Sequence, residues 1–268
     1  LFLVVVFFKI RAKSSLSMTP MQANEIRLME RAGKIAADVL KYTGKHVRPG
    51  ITTNELDKIA HDYILSKEAI PAPLNYKGFP KSICTSVNHC ICHGVPDNTV
   101  LKEGDVVNID VTCIKDGYHG DTSAMFFVGN VSDKAKNLSE VAFEAMHRGI
   151  EEVGPGKTTG DIGFAINKFT TKKGYWVVKE IGGHGIGKVF HDEPWVPSYG
   201  KKGKGIKLLP WICITVEPMI NETSAAMVEF DIPNSAIKYY ETGDKTLSAQ
   251  YEHTVLVTDT GHQILTLI

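Results

Sequence analysis

A unit of roughly thirty residues occurs twice in this chain, at a fixed offset of 106 positions. Pro49-Gly50-x-Thr52-Thr53 returns as Pro155-Gly156-x-Thr158-Thr159. Leu56, Ile59, Ala60 and Tyr63 return as Ile162, Ala165, Ile166 and Phe169. Upstream, Ile35, Ala36, Leu40 and Val47 return as Val141, Ala142, Met146 and Val153. Two copies are too few for a stacked solenoid. They predict one domain built from two related halves.

Each copy reads as a helix pair. Thr19 as N-cap, Pro20 at the first helical position and Gln22 closing a capping box predict a helix start. Ile26, Met29, Ile35, Ala36, Val39 and Leu40 follow roughly at helical spacing, and Pro49-Gly50 should end the helix. A second helix is expected from Thr52/Thr53, with Leu56, Ile59, Ala60, Tyr63 and Ile64 on one face. Short apolar runs supply the strands. Val106-Val107-Asn108-Ile109 ends in Asp110, and Ile212 to Val216 ends in Glu217, an offset of 107. Each half adds a further strand with an acid: Asp121 beside Met125 to Val128, and Glu252 leading into Thr254 to Val257. Pro80, Gly94 and Pro96 mark a hairpin region between residues 81 and 100. Helices in pairs and strands in hairpins predict an α+β fold.

Composition narrows the function. The chain has 268 residues, with 30 Lys+Arg against 30 Asp+Glu, and a pI near 7.3. A net charge of zero lacks the electrostatic footprint of a dedicated nucleic-acid binder. At 43% hydrophobic and 22% charged, the chain is not disordered. Its five cysteines are odd in number and irregularly spaced, which fits a reduced, cytoplasmic compartment. Cys90-x-Cys92 has no second Cys pair to complete a structural zinc site. The apolar run Leu1–Phe8 is too short to span a bilayer, and its positive charges follow it rather than precede it. Residues 1–17 therefore read as an extension outside the fold, with Met18 as the natural start and residues 18–268 as one catalytic domain. A degenerate targeting segment is the alternative reading of the extension.

The acids carry the chemistry. If the halves are related by an approximate twofold axis, Asp110 faces Glu217 and Asp121 faces Glu252. Four carboxylates gathered in a packed sheet repel one another and lose their hydration, so they call for divalent cations. His184, in Gly183-His184-Gly185-Ile186-Gly187, is the imidazole with the best claim to join them. Two bridging acids would make a dinuclear site suited to metal-assisted hydrolysis. Taken singly, each residue also has an ordinary reading as a turn, a cap or an exposed strand end. Spacing alone leaves both readings open.

Seven ordered segments resolve the choice by resemblance. They are Cys92-His93-Gly94-Val95-Pro96-Asp97, Asn108-Ile109-Asp110-Val111-Thr112, Gly117-Tyr118-His119-Gly120-Asp121-Thr122, Gly183-His184-Gly185-Ile186-Gly187, Phe190-His191-Asp192-Glu193-Pro194, Val216-Glu217-Pro218-Met219 and Ser248-Ala249-Gln250-Tyr251-Glu252-His253-Thr254. From roughly residue 20 to 268 the chain resembles the type I methionine aminopeptidases. The resemblance implies the two-fold pita-bread fold, with helix pairs packed on a curved antiparallel sheet. It implies removal of the initiator methionine from nascent chains and peptides whose second residue is small. By the same resemblance Asp110, Asp121, His184, Glu217 and Glu252 are metal ligands, with Asp121 and Glu252 bridging. His93 contacts the substrate near its scissile amide, and His191 stabilises the oxyanion. Glu217 shuttles the proton toward the leaving amine. Tyr76, Phe79, Cys92 and Phe190 form the methionine pocket. Asn88, Cys90 and Ser248 match a monovalent-cation site. Two divalent ions are implied; the donor set suits Co, Mn, Fe(II) or Zn without choosing among them. The resemblance also implies a cytoplasmic monomer that associates transiently with ribosomes, with no membrane partner and no nucleic-acid specificity.

One stretch departs from the family. Relatives carry a Gly-Trp pair about fourteen residues before the last metal-binding Glu, whereas Ile237-Lys238-Tyr239-Tyr240 stands there in this chain. Tyr239 or Tyr240 is the expected substitute. Three alternatives compete. A non-catalytic binding protein of the same fold should have lost ligands, and all five are present. A proline-specific peptidase carries a long N-terminal domain, for which only about 20 residues are available here. The type II branch carries an insertion of roughly sixty residues, and the 33 positions from His184 to Glu217 leave no obvious room for it.

Overall fold

The computed structural model describes residues 18–267, so the extension read at residues 1–17 lies outside them. Among the described residues four α-helices come in two pairs: α1 (Ala23–Gly44) with α2 (Thr53–Ser66), and α3 (Asp133–Ile150) with α4 (Thr159–Lys172). The 106-residue repeat is visible at atomic detail. Thr52 Oγ1 accepts from the backbone of Glu55, whose carboxylate accepts from the backbone of Thr52. Thr158 and Asp161 make the same reciprocal capping box. Each cap residue also forms an isolated bridge to a later strand-like segment, Thr52 to Val100 and Thr158 to Lys207.

The first helix starts later than the sequence predicts. Its N-cap is Gln22, boxed with Glu25, rather than Thr19. The backbone N–H of Met21 donates to Trp211 O at 2.7 Å, which holds the segment before Gln22 in an extended path. A tertiary contact has overridden a local start signal.

The strands of the first half are β1 (Ile70–Pro71), β2 (Cys84–Val87), β3 (Cys90–Cys92), β4 (Val106–Lys115) and β5 (Tyr118–Phe127). The second half contributes β6 (Trp176–Val177), β7 (Gly183–Gly185), β8 (Asp192–Val196), β9 (Cys213–Val216), β10 (Met219–Asn221), β11 (Met227–Asp231), β12 (Lys238–Thr242), β13 (Ser248–Gln250), β14 (Glu252–Val257) and β15 (His262–Ile264). One nine-stranded sheet dominates, in the order β1-β4-β5-β14-β9-β7-β8, with β2 also on β4 and β15 also on β14. Its long hairpin β4–β5 meets the β14–β9 pair at the β5–β14 seam, where the two halves join. All pairings are antiparallel, and with the helix pairs the class is α+β, as expected. The hairpin expected between residues 81 and 100 is split. Strand β2 joins the large sheet, while β3 pairs with β12 in a separate three-stranded sheet.

Each half has its own apolar core. Behind β4, Val107, Ile109, Val111 and Cys113 pack with Ala36, Val39, Leu40, Leu56, Ala60 and Ile64 of α1 and α2. Behind β9 and β14, Ile214, Val216, Val255 and Val257 pack with Val141, Ala142, Met146, Ile162 and Ile166 of α3 and α4. In β4 the residues between the apolar ones, Asn108, Asp110 and Thr112, point to the opposite face, because strand side chains alternate. That opposite face carries the site.

Leu56 and Ile162 are repeat partners, both fully buried and in separate cores. Leu56→Ala and Ile162→Ala should each cost about 2–5 kcal/mol of stability. Their effects should add in the double variant, because distant sites act independently. Urea unfolding checks this; strong non-additivity would contradict two separate cores.

Candidate metal centre

Five strands deliver four acids and one histidine to one place. Asp110 on β4 stands opposite Ser123 on β5, and Ser123 stands opposite Glu252 on β14. Asp121 stands opposite Thr112 and lies two positions from Ser123, so it shares their face. Glu217 follows the end of β9. His184 sits in the middle of β7, between Gly183 and Gly185. A Cβ at either glycine would run into the backbone carbonyl of Thr215 or of Glu193, so these glycines allow the close strand approach that places His184.

The ligand atoms of Asp121, His184 and Glu252 lie within 4.8 Å of one another. His184 Nε2 is 3.8 Å from Asp121 Oδ2 and 3.6 Å from Glu217 Oε1. Its Nδ1 is 3.0 Å from Gly185 O. A carbonyl can only accept, so Nδ1 carries the proton and Nε2 presents a bare lone pair to the acids. Polar neighbours aim the carboxylates. Thr112 Oγ1 donates to Asp121 Oδ1 at 2.7 Å, and Thr215 Oγ1 donates to Glu217 Oε1 at 2.9 Å. Gln250 Nε2 donates to the other Glu217 oxygen at 3.2 Å.

Electrostatics shows what this cluster lacks. Burial pushes the Asp110 carboxyl up to about 7. Asp121, Glu217 and Glu252 are pushed well above the usual carboxylate range, first by burial and then by the negative charge of neighbouring acids, Asp110 among them. Burial lowers His184 to about 4, so it is neutral near pH 7 and cannot compensate the acids. Four clustered carboxylates with a neutral imidazole lone pair aimed at them are a fitting donor set for hard divalent cations. Protons are the only alternative counter-charge among the described residues of the cluster.

The cluster floors a cavity of about 140 Å³. Asp110, Asp121, His184, Glu217 and Glu252 all line it, as do His93, His191, Tyr76, Phe79 and Phe190. Cys92 does not. It is buried with Ile91, Val178 and Met219, and Cys84, the β2 partner of Asp110, lines the cavity instead. Ile181 and Ile237 complete apolar parts of the wall, with Thr112 among the acids. Ile237 comes from the stretch that departs from the family, whereas Tyr240 lies behind the lining with its ring 6.1 Å from that of His93. Burial lowers His93, and partial burial and then His184 lower His191, so both rings are neutral near pH 7.

Lowering the pH from about 8 to about 6 should weaken binding of Mn(II) to the metal-free protein. Below its raised pKa, Asp110 holds a proton that a cation must displace, so binding should release protons. His184 contributes none, since its own proton has left by about pH 4. Calorimetry in buffers of different ionisation enthalpy reads the proton count. An affinity flat over that range, with no proton release, would contradict the clustered acids.

Comparison with known proteins agrees with this geometry. A family model described as metallopeptidase family M24 matches residues 27–259. The chain is 51% identical over 239 residues to a methionine aminopeptidase of Rickettsia prowazekii, covering 89% of this chain and 91% of that one. It is 49% identical over 252 residues to methionine aminopeptidase A of Synechocystis, covering 94% and 98%. The crystal structure of the Rickettsia prowazekii methionine aminopeptidase superimposes with a TM-score of 0.91 at 49% identity, over 94% of this chain and all of that one. A prolidase of Pyrococcus furiosus shares the fold alone, at a TM-score of 0.72 and 22% identity. The chain belongs to metallopeptidase family M24.

Proposed function

We propose that this chain is a methionine aminopeptidase that removes the N-terminal methionine from nascent chains and peptides whose second residue is small. The observation that carries the reading is a single cavity with four carboxylates, two buried and two half-buried, and a neutral histidine at its floor and an aromatic, apolar wall above them. The wall of Tyr76, Phe79, Phe190, Ile181 and Ile237 suits a polarisable thioether. Residues 18–268 act as the catalytic domain.

Asp110, Asp121, His184, Glu217 and Glu252 would hold two divalent ions. The donor set accepts Co, Mn, Fe(II) or Zn. When bound, such ions supply an activated water and polarise the scissile carbonyl. The remaining work belongs to the chain. Glu217 takes up the water's proton and passes it to the leaving amine. His93 Nδ1 is 3.0 Å from Lys238 O and so carries its proton there, leaving Nε2 to accept from the scissile amide N–H. His191 donates toward the developing oxyanion.

Asn88, Cys90 and Ser248 are proposed as a monovalent-cation site. Supporting this, Ser248 N donates to Asn88 O at 3.0 Å, and Ser248 Oγ is buried without a partner among the described residues. We place the protein in the cytoplasm, in keeping with its five free thiols. It is proposed to act as a monomer with transient ribosome association. Among the described residues no helix is long and apolar enough to cross a membrane.

Asp121→Asn should lower release of methionine from a Met-Ala-Ser peptide by more than about 100-fold, beyond the 10–100-fold typical of residues that merely support a ligand. It should also lower bound metal, measured by elemental analysis. Glu252→Ala should behave alike. His191→Ala should lower kcat more than it raises KM, as expected for a contact made in the transition state. Turnover retained by Asp121→Asn with unchanged metal content would sink the assignment.

A further inference from the structure

Tyr76 stands on a strained turn. Its neighbours Asn75 and Lys77 have φ of +66° and +48°, and neither is glycine. Such conformations are costly for residues with a Cβ and persist where surrounding contacts over-determine them. The contacts here are specific. Ala236 N and Ser235 Oγ both donate to Lys77 O, at 2.8 and 3.2 Å. Gly78 lies so close to Asn234 that a Cβ would run into its carbonyl. On the other side, Asn75 N donates to Phe79 O at 2.8 Å. Asn234, Ser235 and Ala236, between β11 and β12, therefore prop this turn.

What the turn presents is the Tyr76 side chain. Its ring lies 4.9 Å from Phe190 and 5.2 Å from His191, centroid to centroid. Its hydroxyl lies 3.0 Å from His191 Nδ1. An apolar wall needs only the ring, and Phe79, three residues on, contributes to the same wall without a hydroxyl. The hydroxyl thus has a separate role. A phenol oxygen is a weak acceptor, because its lone pair is shared with the ring, whereas a neutral imidazole nitrogen is a strong one. The favoured direction is O–H donating to Nδ1.

We propose that the Tyr76 hydroxyl is a positioning group for His191: it donates to Nδ1 and so holds the imidazole's own proton at Nε2. The ring nitrogen offered to the cavity is then an N–H donor, the form that can hydrogen-bond a developing oxyanion. His184 and His93 show the opposite arrangement. Their Nδ1 atoms face carbonyls, which makes their Nε2 atoms acceptors. Two acceptor imidazoles and one donor imidazole line the same cavity, and the difference lies in what each Nδ1 meets. The kinetic consequence rests on the reading of His191 as the oxyanion donor; the tautomer itself does not.

Nitrogen-15 NMR of the imidazole rings in the zinc-loaded full chain reads the tautomer directly. His191 should carry its proton at Nε2 in the parent protein, and Tyr76→Phe should shift it toward Nδ1. Kinetics on Met-Ala-Ser should show kcat falling about tenfold in Tyr76→Phe with KM within about twofold, in the range for removing a group that orients another. In the His191→Ala background the same change should have no further effect. A proton at Nδ1 in the parent protein, or an unchanged tautomer in Tyr76→Phe, would overturn the proposal, as would a full additive loss in the double variant. Full activity in His191→Ala alone would instead refute the oxyanion role, and the NMR result would still decide the role of Tyr76.

Discussion

Four carboxylates share one face of one sheet, two from each half of the chain, and the rest of the site follows from the difficulty of holding them there. Asp121 and Glu252 are 4% and 2% exposed, so water screens them little. Their mutual repulsion and lost hydration drive all four toward protonation in the absence of cations. Divalent ions reverse that tendency. The formal net charge of zero therefore includes four acids gathered in one site rather than spread over the surface.

The surrounding residues meet that constraint in layers. The apolar half of each strand anchors it to a helix pair, which frees the alternate positions for polar groups. Thr112, Thr215 and Gln250 then aim the carboxylate oxygens. The glycines flanking His184 let two strands close in beside it, and backbone carbonyls set the protons of His184 and His93. An imidazole without such a carbonyl, His191, meets a tyrosine hydroxyl instead.

Much of this was legible in the sequence, for identifiable reasons. The repeat carries its own cap chemistry, so Thr52 and Thr158 announced the starts of α2 and α4 correctly. Asp110, Asp121, His184, Glu217 and Glu252, which all line the one cavity, stand in motifs whose residue types are chemically restricted. What escaped depends on contacts distant in sequence. The start of α1 is moved by Met21 meeting Trp211. Strands β2 and β3 part company because β12, some 150 residues later, claims β3. Cys84 rather than Cys92 lines the cavity because its strand lies directly against Asp110. Thr112 was within reach, since it lies two positions beyond Asp110 on an alternating strand and so shares its face. In the stretch where the resemblance places a tryptophan, Ile237 lines the cavity, while the ring of Tyr240 lies 6.1 Å from that of His93.

Acids from both halves of the chain are proposed to form one divalent-cation centre. Crystals of the full chain grown with Mn(II) and measured near the manganese absorption edge would locate such ions. Two anomalous peaks are expected among Asp110, Asp121, His184, Glu217 and Glu252, with Asp121 and Glu252 touching both. Strong manganese peaks elsewhere, with none among these five residues, would contradict it.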